Sequence, residues 1–151
     1  MRKAIIISLA AGLMACASAS AEPRWVPLIV KCQGAVTSSV SASVQGRIME
    51  VRVSSPATNG VAITSVTGNV AIAATPAFGT GNAATTIYAN TNVTSAVAAR
   101  PRMAPTDTAG TGLSSLTVYE PYLCVGDTVA LTVIQTGAAS NVVWRADVKV
   151  D

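Results

Sequence analysis

Thr128 to Val150 reads TVALTVIQTGAASNVVWRADVKV. In its second half Val142, Trp144, Ala146, Val148 and Val150 alternate with Val143, Arg145, Asp147 and Lys149. That is a period of two with one apolar and one largely charged face, the signature of a half-buried strand. In its first half Val129, Leu131 and Val133 share one face between Thr128 and Ile134. Gln135 to Asn141 (QTGAASN) then reads as the loop of a hairpin.

Working outward, the rest of residues 22–151 is dense in Val, Thr, Ile, Ser and Gly, which suit pleated surfaces and turns. Trp25 to Lys31 reads as a first strand, with Pro27 marking a sheet edge. Ala35 to Val44 reads as a second. Arg47 to Val53 reads as a third, with Met49, Val51 and Val53 inward and Glu50 and Arg52 outward. Val61 to Val66 and Asn69 to Ala74 read as a hairpin around Thr67-Gly68. Thr85 to Asn90 and Leu116 to Tyr122 add further strands, while Thr75 to Ala84 and Arg100 to Gly112 read as loops. The expectation is an all-β chain: a single antiparallel β-sandwich or jelly-roll-like domain of about eight or nine short strands.

The N-terminus reads differently. Arg2 and Lys3 precede an apolar run, Ala4 to Ala15, and small residues follow at Ala19-Ser20-Ala21. Residues 1–21 therefore read as a signal-peptide-like leader, its apolar run Ala4 to Ala15 too short to span a bilayer, ahead of a single domain at 22–151. Leu13-Met14-Ala15-Cys16 offers an overlapping reading, with Cys16 lipidated at a lipobox-like site. A third reading keeps the segment as an uncleaved anchor. Removing the leader takes Arg2 and Lys3 away. Ten basic residues become eight against seven acidic ones, so the net charge falls from +3 to +1. No basic stripe then remains for nucleic acid or a membrane surface, and contact with a membrane would come only through the leader or a lipid on Cys16. Cys32 and Cys124 are left as a pair. In an oxidising compartment a disulfide would close a loop of about 90 residues, and the alternative is two small buried hydrophobes.

The chain has no histidine and only seven carboxylate side chains. That excludes histidine-dependent triads and His-ligated zinc or haem. Glu50 and Asp147 point outward on strands, and Asp127 follows Gly126 where a turn residue accepts backbone hydrogen bonds. Asp107 and Glu120 are the remaining candidates for acid–base work, without the aromatic cleft a glycosidase needs. Asn90, Asn92 and Thr94 lack a nearby acid for calcium and read as turn chemistry. Gly79-Thr80-Gly81 and Gly110-Thr111-Gly112 lack the strand-then-helix setting of a phosphate loop. The expectation is no enzymatic activity and no cofactor or metal. Arg100-Pro101-Arg102 through Asp107 is the most distinctive stretch. It reads either as a surface loop with an Arg–Asp pair or as a contact loop for a neighbouring subunit. With Trp25, the residues Arg100, Arg102 and Asp107 are the candidate subunit contacts.

The order of short features also carries a resemblance. Gly46-Arg47-Ile48, Arg100-Pro101-Arg102, Asp107-Thr108-Ala109-Gly110, Tyr119 to Tyr122, Gly126-Asp127 and the hairpin from Thr128 to Val150 around Gly137 follow one another. That order is similar to small bacteriophage head-decoration (capsid-stabilising) proteins, over residues 46–150. The resemblance implies a virion component that binds a capsid lattice, as a homo-oligomer and without nucleic acid. The leader supports an alternative: an exported bacterial sandwich, periplasmic, lipid-anchored at the outer membrane, or an extracellular filament or adhesin subunit.

Overall fold

The computed structural model describes residues 22–78, 83–102 and 120–151. They form nine strands: β1 (Arg24–Gln33), β2 (Thr37–Val53), β3 (Ala57–Thr58), β4 (Val61–Ala62), β5 (Thr67–Thr75), β6 (Thr85–Val93), β7 (Val97–Ala99), β8 (Tyr122–Thr136) and β9 (Ser140–Val150). Every pairing is antiparallel, and no helix occurs among the described residues. The fold is the expected all-β one, a curled antiparallel sheet with sandwich-like packing.

The terminal hairpin supplies the centre. Val142, Trp144, Ala146, Val148 and Val150 of β9 are all buried, as are Val129, Leu131 and Val133 of β8. The loop between them is shorter than the sequence suggested. β8 continues to Thr136, so Gln135 is a buried strand residue and not part of the turn. Gly137, at a φ of 104°, then turns the chain.

β2 departs most from the sequence reading. The second and third expected strands are one continuous strand. Its first part, Thr37 to Ile48, pairs with β8, and its last part, Ile48 to Val53, pairs with β9. Ile48 faces both Tyr122 and Val150 and is the point where the strand changes partner. Two layers result, one running β2–β8–β5–β6 and the other β1–β9–β2–β7. They meet where the Trp144 ring of β9 lies against Gly68 of β5. Met49, expected inward, is instead the extra residue of a bulge between Ile48 and Glu50, and Ile48 takes the core position.

The expected hairpin around Thr67-Gly68 does not form. β3 and β4 make a small hairpin through Asn59 and Gly60, whose φ angles of 51° and 79° suit a tight two-residue turn. β5 pairs with β6 and β8 instead. Gly68 serves as a strand residue because a Cβ there would come within 2.6 Å of the Trp144 ring. β1 pairs only with β9 among the described residues, as Pro27 indicated. The expected strand from Leu116 lies outside the described residues apart from its end at Glu120 to Tyr122.

Cys32 and Cys124 are both buried and both free thiols. The register explains why they do not bridge. Cys32 faces Val142, close to the β8–β9 turn. Cys124 faces Gly46, eleven positions along β8 from Gln135 and toward its other end. At the usual rise of about 3.3 Å per strand residue those eleven positions span on the order of 35 Å, far beyond the few ångströms a disulfide allows. The second sequence reading, two small buried hydrophobes, describes both residues in this structure.

Candidate functional site

The two outer faces of the sandwich differ in chemistry. Along the β2–β8 layer the outward residues are Ser39, Ser41 and Ser43 on β2, and Thr128, Ala130, Thr132 and Ile134 on β8, with no charge among them. The outward face of the β1–β9–β2 layer is aromatic and charged. Here Trp25 lies opposite Lys149, Lys149 opposite Glu50, and Arg52 opposite Asp147.

The alternation of each strand places these side chains. Trp25 and Ile29 sit on β1 at the parity opposite to buried Leu28 and Val30, and are 38% and 49% exposed. Arg145 and Asp147 are two apart on β9, so they share a face, and the Arg145 guanidinium donates to both carboxylate oxygens at 2.8–3.0 Å. Glu50 and Arg52 repeat the pattern on β2, with Arg52 Nε donating to Glu50 Oε1 at 2.6 Å. The Arg52 guanidinium also lies 4.5 Å from the centroid of the Trp25 ring, and Lys149 Nζ lies 5.9 Å from it. A cation over an indole face is attracted by the ring quadrupole. Arg52 is thus held by Glu50 and the Trp25 ring, which restricts its long side chain.

The electrostatics follow from these contacts. The hydrogen bond from Arg52 holds the Glu50 carboxyl below its usual range, and the charges of Arg52, Arg100 and Lys149 act the same way. The Asp147 hydrogen bonds and charge raise Arg145 further above its already high value. The ion pairs are exposed on their arginine side, so each contributes little to stability. Their effect is geometric: they set the positions of charges around an aromatic surface.

Of the candidate contacts named from sequence, Trp25 is the centre of this face. Arg100 follows β7 and, with Glu50, Ala98 and Ala99, lines a shallow depression at the far side of the same face. Arg102 is exposed, beyond the buried Pro101. Asp107 and Cys16 lie outside the described residues. Glu120 is exposed in a separate depression with Arg47, Pro121 and Leu123. Sequence reasoning placed Glu50, Arg52 and Asp147 outward but missed their role around Trp25. The opposite-charge pairs two residues apart, Glu50/Arg52 and Arg145/Asp147, were a visible signal. The register that brings them to Trp25 was not.

Among the described residues no group of His, Cys, Asp or Glu side chains is placed to hold a metal, and no helix is long and apolar enough to cross a membrane. A scan against protein-family models, a search of curated proteins and a search of solved structures found no match to the chain.

Proposed function

We propose that the protein is a non-enzymatic structural component of a virion, decorating or stabilising a capsid by protein–protein contacts. The observation that carries this reading is the pre-ordered face around Trp25. Exposed Trp and Arg are the side chains that dominate protein interfaces, and ordering them in advance lowers the entropy lost on docking. Ile29 beside them adds apolar area that a partner would cover. The order of motifs from Gly46 to Val150 supports a capsid as that partner, through its similarity to head-decoration proteins.

Mass spectrometry of purified virions tests the assignment directly: the polypeptide is expected in them, and its absence would overturn the reading. The face has its own test. Trp25→Ala is expected to weaken binding to capsids by about tenfold or more, with the circular dichroism of the free protein unchanged.

The leader-like segment, residues 1–21, favours a second reading as an exported bacterial interaction module. Intact mass of the chain from its native source separates the two. A chain beginning at Glu22, or carrying a lipid on Cys16, supports export, and a full-length chain opposes it.

A further inference from the structure

The first part of β2 is a sheet edge without the usual protection. Among the described residues its one hydrogen-bonded neighbour along Thr37 to Val44 is β8; β1 and β7 bond elsewhere, to β9 and to Val51–Val53. Edge strands invite pairing by another chain, and natural proteins blunt them with charge, proline, bulges or shortness. The other edges follow that practice. β1 carries Arg24, Pro27 and Lys31. β6 has two register irregularities and Asn92 at a φ of 55°. β4 and β7 are only two and three residues long. Thr37 to Val44 reads TSSVSASV, with no charge, no proline and an unbroken register.

The ladder also fixes which backbone groups are free of a partner among the described residues. Gln135 N donates to Val36 O, so Val36 points its backbone groups at β8. Alternation then points Ser38, Val40, Ala42 and Val44 at β8, and Thr37, Ser39, Ser41 and Ser43 away from it. Beyond them, Gly126 is the extra residue of a β8 bulge at a φ of 73°, and Gln45 again points away. The free run stops at Arg47. Its N–H donates to Asp151 Oδ1, and its carbonyl accepts from Asp151 N. On the inner side Val40 and Ala42 are only partly buried, so this margin of the core is open.

We propose that this edge pairs with the same edge of a second copy, antiparallel about a twofold axis at Ser41. That centre brings Ser41 opposite Ser41, Ser39 opposite Ser43 and Thr37 opposite Gln45, so every free position from 37 to 45 has a partner. The pairing makes about ten backbone hydrogen bonds. On the inner side Val40 meets Ala42, a large residue against a small one. The absence of charge from Gln33 to Gly46 means that self-pairing places no like charges together. A twofold interface requires this kind of self-complementarity, and it joins the two four-stranded layers into one continuous eight-stranded sheet. The proposal does not depend on the virion reading.

Analytical ultracentrifugation of the full chain, with amide exchange followed by NMR, tests it. A concentration-dependent dimer is expected. Amides of Ser39, Ser41, Ser43 and Gln45 should become protected as the dimer fills, while those of Ser38, Val40 and Ala42 are protected throughout. Ser41→Pro removes a donor that the β8 ladder does not use, and Ser41→Lys sets two charges together at the axis. Each variant should lower the dimer association constant at least tenfold. Thr86→Lys on β6 should leave it unchanged. A monomer at all concentrations overturns the proposal. So does a dimer that survives both Ser41 variants, or one in which the odd-numbered amides stay unprotected, since its contact would then lie elsewhere or involve another segment.

Discussion

At the scale of single residues, the buried polar centre of the core is Gln135. Its Oε1 accepts from Trp144 Nε1 at 3.0 Å, and its Nε2 donates to the carbonyls of Gly34 and Ala139 at 2.8 and 2.9 Å. One side chain therefore ties the β1–β2 turn, the β8–β9 turn and the indole together. Gln135→Leu keeps a similar volume but strands a buried indole N–H and takes the amide donor from the Gly34 and Ala139 carbonyls, of which the latter keeps the Gly34 N–H, at a cost of about 2–4 kcal/mol. The midpoint of urea unfolding should fall accordingly, and an unchanged midpoint would show that water replaces the amide. Gly68→Ala should destabilise by about 1–3 kcal/mol, because the added methyl meets the Trp144 ring and the core cannot yield without shifting it. The inward direction of Trp144 was legible in the alternation of β9. Gln135 was misplaced because a polar residue beside Thr and Gly resembles a loop. The same parity that points Val129, Leu131 and Val133 inward also points Gln135 inward, so the signal was present and was outweighed by residue type.

At the scale of elements, β2 is the strand that makes two layers out of one path. Gly46 allows this in two ways. Its φ of 117° is open to glycine and costly for other residues, and a Cβ there would come within 2.1 Å of the Asp151 carbonyl oxygen. Gly46→Ala is expected to cost about 3 kcal/mol or more, combining backbone strain with the clash. Amide exchange should localise the damage: the protection of Arg47 and Asp151 N–H groups, which close this corner, should be lost before that of β9. Equal protection in variant and parent would mean that the corner does not need glycine. Individual strands were legible here because each half of β2 alternates cleanly. The corner was not, since a period of two assigns faces within a strand and says nothing about which layer the strand joins. The cysteine pair failed for the same reason. Both residues were correctly read as candidates for the interior, but only the register shows them at opposite ends.

At the scale of the molecule, the sandwich separates a charged, aromatic face from an uncharged one, and it carries a bulge whose electrostatics couple folding to pH. Asp127 is 5% exposed, and its carboxylate accepts from Val125 N at 3.3 Å and from the Tyr122 hydroxyl at 3.2 Å. Sequence reading anticipated an acceptor for backbone N–H groups beside Gly126. It did not anticipate that the acceptor would be buried among two titratable neighbours. Burial, and then the Asp127 charge, push the Tyr122 hydroxyl up to about 12. The same two causes push the Cys124 thiol up to about 12. Both groups bind their proton more tightly in the folded chain than in the unfolded one. Their contribution to stability is therefore complete below the ordinary thiol range and is lost as pH rises through the folded values. Stability should decline between about pH 9 and pH 12, with the thiol responsible for the earlier part and the phenol for the later. The Cys124 thiol should also resist a thiol-specific reagent at pH 8 until the chain unfolds, because the thiolate is the reactive form. Urea midpoints taken from pH 7 to pH 11 check the sign. The double variant Cys124→Ala, Tyr122→Phe should lose stability less steeply over that window than the parent, whatever its stability at pH 7. Parallel slopes in the two chains would show that other groups, titrating alike in both, govern the alkaline limit.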